Sequence, residues 1–395
     1  MTTSPAVIYL DNNATTAMDP RVADEMMRWY QAGPINPASP HRLGQRARVA
    51  MDDAIELIGQ CLRCDLGHPG GPRLIITSGG TESNNLALSG IAIDGPLLVS
   101  SIEHASVLAM AKKLAAEGRR VRTLDVDQNG LVKIERLVEE IESVTPPSMV
   151  AVMSANNETG VVQPIGKIAR LCQQHSIHLH VDATQSIGKF ETRDDPMGLG
   201  LDGDLASSGI TSLTFAAHKF HGPTGVGGLW IAGGVQVEAM MRGGEQQLDT
   251  RPGTEALPLV VGMAEAMRLA VESADESVRL MKGLRDHLES QIVKAIPSCH
   301  VHSQSVPRLP NTTCIAFPGI DRQSLLMALD MKAVACSSTS ACSSGSSPPS
   351  HVLTAMGASE EQLRSTLRFA VSRLTKSSEI KLSTEHILIC CNNLR

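Results

Sequence analysis

The chain has 395 residues, 42% of them hydrophobic, and a formal charge of −6. That length can bury more than one core, and the mildly acidic balance points away from nucleic-acid and membrane surfaces. No run of about 18 apolar residues occurs, and the opening MTTSPAVIYLDNN has no basic region followed by a long apolar stretch, so neither a membrane span nor a signal peptide is expected. The nine cysteines follow no framework spacing, which suits free thiols in a reducing cytoplasm. With 2% aromatics and 17 methionines, the core must be aliphatic.

Val7 to Leu10 reads as a short strand, followed by the turn-prone Asp11-Asn12-Asn13. Asp19-Pro20 opens a helix with apolar spacing through Val22, Met26 and Trp29. Ser39 before Pro40 predicts the cap of a helix reaching about Leu62. Cys61 and Cys64, with His68 near, form a single CxxC. Zinc usually needs four ligands in a structural site, so ordinary helix-end cysteines are expected instead of a metal.

From Leu74 the pattern alternates. Strands at Leu74–Thr77, Leu97–Ser101, Val121–Val126, Met149–Ser154 and Ile177–Val181 are separated by helical stretches. This predicts an α/β fold, a three-layer α/β/α unit built on a mostly parallel sheet. Polar residues follow the strand ends: Thr81, His104, Asn157, Asp182, Gln185 and Lys219. In such sheets ligands bind outside the carboxyl ends of the strands, so all six can converge.

Beyond Lys219, one long helix is expected from about Pro258 to Ile296, then short strands at Cys314–Phe317 and Val334–Cys336 around a helix at Arg322–Leu329. This predicts a smaller α+β domain. We divide the chain into a large domain, 16–257, and a small one, 1–15 with 258–395. The Ser/Gly/Pro-rich stretch 337–350 packs poorly by composition and is expected to be a mobile loop carrying Cys342. Arg368 falls on a last strand at Thr366–Val371.

The residues suggest one chemistry. A lysine just past a buried strand loses its proton more readily than a solvated one, and its neutral amine condenses with aldehydes. The strand–Gly79-Gly80-Thr81–helix junction is an anion cradle, because exposed N–H groups and the positive helix end suit phosphate. Asp182 can hold a protonated ring nitrogen, Asn157 and Gln185 can donate to a phenolic oxygen, and His104 can stack on a ring. Together these parts suggest pyridoxal 5′-phosphate. Each also has a plainer reading: Lys219 a surface lysine, Asp182 a helix cap, His104 a core histidine, and Asn157 and Gln185 turn stabilisers.

The stretches YLDNNATT (9–16), NPASPHRLG (36–44), TSGGTESNN (77–85), EHASV (103–107), NNETG (156–160), HVDATQSIGK (180–189), AHKFHGPTGVG (217–227), RPGTE (251–255), RLPNTTCIAFPG (308–319) and SACSSGSSPPSHVLTAMG (340–357) run through nearly the whole chain. In this order they resemble the NifS-type cysteine desulfurases, class V aminotransferase-like pyridoxal phosphate enzymes of fold type I. The resemblance implies that Lys219 holds the cofactor, Asp182 its ring nitrogen and Gln185 its phenolic oxygen. It implies that His104 stacks on the ring and shuttles protons, and that Gly80, Thr81 and His218 face the phosphate. Thr254 would reach the phosphate of a partner subunit in a homodimer. Arg368 and Asn157 would bind the carboxylate of the substrate, L-cysteine, and Cys342 would be the nucleophile that carries a persulfide. The implied products are L-alanine and sulfur for an acceptor protein, an iron–sulfur scaffold or a thiolation factor. A selenocysteine lyase or other β-eliminating lyase, and a non-enzymatic sulfur carrier, remain open.

Three departures stand out. Ala216 replaces a usual phosphate-binding serine, with Thr214 as a possible substitute on the same strand face. The stretch Thr192–Ser212 is longer than usual. Ser372 replaces a common glycine near Arg368.

Overall fold

A computed structural model describes residues 7–191, 195, 197–201, 204–338 and 348–395. The chain opens with β1 (Ile8–Tyr9), α1 (Pro20–Tyr30) and α2 (Arg42–Cys61). It then alternates through β2 (Arg73–Thr77), α3 (Gly80–Gly90), β3 (Leu97–Ser100), α4 (Ala105–Ala116), β4 (Val121–Leu124), α5 (Ile134–Ile141), β5 (Met149–Met153), α6 (Ile165–Gln174) and β6 (His178–Asp182). β7 (Ser212–Ala216) ends in a 3-10 turn at Ala217–Lys219, and β8 (Gly227–Ile231) and α7 (Leu257–Glu272) follow. The remainder is α8 (Ala274–Ala295), β9 (His300–Val301), β10 (Thr312–Ala316), α9 (Arg322–Asp330), β11 (Val334–Ala335), α10 (His351–Ala355), α11 (Glu360–Ser365), β12 (Thr366–Ala370) and α12 (Ser377–Leu394).

Seven strands form the main sheet in the order β2-β8-β7-β6-β5-β3-β4. Its pairings are parallel except those of β8, which runs antiparallel to both neighbours. The central strands are almost wholly buried, β5 (MVAVM) being apolar along its length, because both faces are covered. Period two divides them: Ile75, Leu97, Val99, Met149 and Ala151 pack with α3 and α4, whereas Ile76, Leu98, Val150 and Val152 face a core shared by α1, α2, α5, α6 and α7. The result is the expected three-layer α/β arrangement.

A second core lies around the antiparallel sheet β12-β10-β9. Val278, Met281, Leu284, Leu288 and Ile292 put one face of α8 against it, and Ile8 and Leu10 from the chain's start join them. The helix expected as one piece to Ile296 is two. It breaks at Ser273 (φ −96°, ψ 9°), because α7 packs on the large core and α8 on the second one.

Local signals shifted in one place. Asp19 caps α1 as expected, accepting from the Arg21 N–H. For α2 the cap is His41, not Ser39: its Nδ1 accepts from Gly44 N at 3.2 Å. A Cβ at Gly44 would lie 2.1 Å from Ser39 O, so this glycine permits the tight entry. Among the described residues no helix is long and apolar enough to cross a membrane. Cys64 Sγ accepts a hydrogen bond from the buried Trp230 indole N–H at 3.3 Å.

Candidate active site

The segment Asp11–Thr16 joins the two cores. Ala370 N, on β12, donates to Leu10 O at 2.7 Å, and Thr16 N donates to His218 O, beyond β7, at 2.9 Å. Between these anchors, at the carboxyl ends of β5, β6 and β7, lies a cavity of about 460 Å³. Gly80 and Thr81 enter it from α3, His104 from the cap of α4, and Asn157, Asp182 and Gln185 from the ends of β5 and β6. His218, Lys219 and Arg368 complete it, so nine of the eleven residues singled out in the sequence meet there. Thr254 does not: it is exposed and lies outside this cavity. Cys342 lies outside the described residues.

Lys219 Nζ donates to the carbonyls of Asn13 and Ala14, each at 2.7 Å. Burial and the nearby Arg368 guanidinium lower its pKa to about 8, against the opposing pull of Asp182 and Asp11. A neutral amine is therefore accessible near neutral pH.

Asp182 is buried at the end of β6. Its Oδ2 accepts from Asn84 Nδ2 at 2.7 Å and its Oδ1 from Thr184 N at 3.0 Å. Asn84 Oδ1 faces His180 Nε2 at 3.0 Å, and His180 Nδ1 faces Ser212 Oγ at 2.8 Å. Burial pushes His180 down to about 4. The carboxylate is thus positioned at the cavity by Asn84 and a backbone N–H, with His180 and Ser212 behind Asn84.

His104 caps α4. Its Nδ1 accepts from Ser106 N at 3.1 Å, so in the neutral ring the proton sits on Nε2. Burial lowers its pKa, with Asp182 opposing and Lys219 reinforcing.

The start of α3 has no side-chain cap: Gly79 (φ 149°) occupies that position. Its backbone conformation is one that glycine tolerates and side chains rarely adopt. A Cβ at Gly227 would lie 2.8 Å from Gly79 Cα, so β8 also presses on the turn. A Cβ at Gly80 would lie 3.2 Å from Thr184 Oγ1, whose buried hydroxyl has no protein partner. An uncapped helix start beside an orphaned hydroxyl fits a phosphate. His218 also lines the cavity, its Nδ1 3.2 Å from Thr15 Oγ1 and its pKa pushed down to about 4 by burial. Ala216 lines the cavity but brings only a methyl group. Thr214 is fully buried behind the cavity lining, its methyl carbon 3.7 Å from a Cβ built on Gly80, and its hydroxyl, like that of Thr184, has no protein partner.

Arg368 reaches the cavity from β12. Nη2 donates to Asp11 Oδ1 at 2.5 Å, Nη1 to Asn157 O at 2.9 Å, and Nε has no partner. A buried guanidinium with an unused N–H can take a carboxylate.

Sequence reasoning missed Asp11, Asn13, Asn84 and Thr184. Each lies inside a stretch already quoted, but Asp11, Asn13 and Asn84 make their contacts across the fold.

The class-V aminotransferase model matches residues 8–382. The chain belongs to that family. Among class-V relatives, the cysteine desulfurase of Sinorhizobium fredii is 37% identical over 370 residues, covering 92% of this chain and 91% of its own. The cysteine desulfurase IscS of Klebsiella pneumoniae is 37% identical, covering 94% and 90%. A NifS-like protein from Rickettsia africae superposes with a TM-score of 0.86 at 30% identity, covering 98% of this chain and 99% of its own. The cofactor of this class-V chain is pyridoxal 5′-phosphate. The cavity suits it on chemical grounds: the uncapped start of α3 for the phosphate, Asp182 for the ring nitrogen, and Lys219 for the aldehyde.

Proposed function

We propose that the chain is a cysteine desulfurase. L-cysteine and a protein thiol give L-alanine and a protein persulfide, and the sulfur then passes to an acceptor. The observation that carries this reading is the meeting, in one cavity, of a lysine of lowered pKa with a buried guanidinium that has an unused N–H. The relatives named cysteine desulfurase, similar over nearly the whole chain, supply the substrate.

When bound, pyridoxal phosphate supplies an aldehyde that condenses with amines and a ring that accepts the electron pair of a substrate Cα–H bond. Lys219 would hold the aldehyde, and its neutral amine would take the proton from the substrate Cα. Asp182, held by Asn84 and the Thr184 N–H, would pair with the protonated ring nitrogen. Gln185 donates to the phenolic oxygen. The α3 start, Thr81 and His218 anchor the phosphate. Arg368 would bind the substrate carboxylate, with Asn157 beside it. His104 stacks on the ring and moves a proton through Nε2.

Cys342 takes the sulfur: its thiolate attacks the substrate sulfur, an S–S bond forms and the C–S bond breaks. We read Thr254 as serving the site of a second copy in a homodimer; its exposure away from its own cavity supports this. The free cysteines among the described residues suit a cytoplasmic setting. The acceptor we expect is an iron–sulfur scaffold or a thiolation factor. Replacing Cys342 by Ser should preserve the visible cofactor band and abolish sulfide release from L-cysteine. Full release from that variant would contradict the persulfide role.

A further inference from the structure

Lys189 has no part in the chemistry above, yet it is a lysine only 6% exposed, next to the active cavity. It stands four residues after Gln185, at the end of the turn that follows β6. Gly188 (φ 70°) makes the bend. A Cβ there would lie 2.8 Å from Ala270 Cβ on α7, so the turn is pressed against that helix and Lys189 folds back toward Gln185.

Lys189 Nζ donates to Gln185 Oε1 at 2.7 Å. The other end of the amide, Nε2, donates to Asn13 O at 3.0 Å. That carbonyl also accepts from Lys219 Nζ, so Gln185 and the cofactor lysine share one acceptor at the cavity wall. Burial and the positive charges of Lys219 and Arg368 disfavour the ammonium and bring its pKa to about 7. A buried lysine held among cations costs stability and calls for a reason.

The hydrogen-bond geometry supplies one. An ammonium has donors only, so while Lys189 is charged the amide beside it turns its oxygen toward Nζ. Lys189 on Oε1 and the Asn13 carbonyl on Nε2 together fix which end is which. We infer that Lys189 is a positioning residue of the active site: it holds the Gln185 amide by its oxygen so that the cavity is offered the Nε2 donor. The inference rests on the pyridoxal phosphate reading, in which Gln185 serves a phenolic oxygen that gains from a donor and is repelled by an acceptor.

The test uses the full-length protein with pyridoxal phosphate. Lys189→Met keeps the stem and removes the donor. The variant should fold and, without cofactor, melt no lower than the parent. Its dissociation constant for pyridoxal phosphate should rise about three- to tenfold, the size of one net hydrogen bond. Its visible band should move to shorter wavelength as the phenolic oxygen loses its fixed donor. Both effects should vanish in a Gln185→Leu background. An unchanged single variant, or an equal effect in that background, would overturn the inference. Should Lys189→Met fail to fold, Gln185→Glu reads the same point, because it keeps an oxygen for Lys189 and places a second one where Nε2 stood. Weakened cofactor binding supports the inference, and parent-like binding overturns it. A parent protein that shows no band at all would instead defeat the cofactor reading itself.

Discussion

Asp11 Oδ1 accepts from Arg368 Nη2 at 2.5 Å, so the guanidinium facing the cavity is already half engaged by the chain itself. A substrate carboxylate must share that group with Asp11. Asp11→Asn should therefore lower KM for L-cysteine severalfold with little change in kcat. Arg368→Ala should raise KM by about ten- to a hundredfold, the worth of a charge-assisted hydrogen bond. Steady-state kinetics on both variants checks the pair; an Asp11→Asn enzyme with a raised KM would show that Asp11 orients the guanidinium rather than competing for it.

Asn84 holds Asp182 on one side and His180 on the other. Asn84→Ala leaves a buried carboxylate oxygen and a buried imidazole nitrogen each short of a partner. The expected loss is about 1–3 kcal/mol of stability, together with weaker cofactor retention. Thermal melts with and without cofactor measure both effects.

These contacts explain what could be read in advance and what could not. The alternation of apolar runs and helical stretches from Leu74 onward made the parallel sheet legible, and the sheet in turn placed Thr81, His104, Asp182 and Lys219 at one edge. Asn84 was not legible as a ligand of Asp182, because the contact depends on how α3 lies over the ends of β6 and β7. Lys189 and Gln185 are only four residues apart, but no helix joins them. Their contact exists because Gly188 bends the chain against α7. The break at Ser273 was hidden for a different reason. Ala, Met and Leu keep a helical period straight through it, and only the change from one core to the other divides the helix.

Ala216 brings only a methyl group to the cavity, where the resemblance implies a phosphate-binding serine. Ala216→Ser should tighten pyridoxal phosphate about two- to tenfold. Titration of the cofactor-free protein would show it; unchanged or weaker binding would mean that the Thr184 hydroxyl and the α3 start already satisfy the phosphate.

The histidines give an acid dependence with a definite sign. Burial pushes His218, His221 and His302 down to about 4 from the ordinary 6.5. Between those values the unfolded chain binds more protons than the folded one, so stability present above 6.5 is lost as pH falls toward 4. Melts of the cofactor-free protein should fall through that window, and His302→Gln should flatten the slope. For Lys219 the same logic applies higher up. Below its pKa of about 8 the neutral amine grows about tenfold per pH unit. Cofactor capture by the cofactor-free protein should accelerate accordingly and level off above that pH.

On the function proposed here, Lys219 carries the cofactor at the mouth of the sheet. Borohydride reduction of the protein loaded with pyridoxal phosphate, followed by peptide mapping, tests it directly. A reduced pyridoxyl group should be found on Lys219 and should disappear in Lys219→Ala. An unmodified Lys219 in the loaded protein, with the label on another residue, would contradict it.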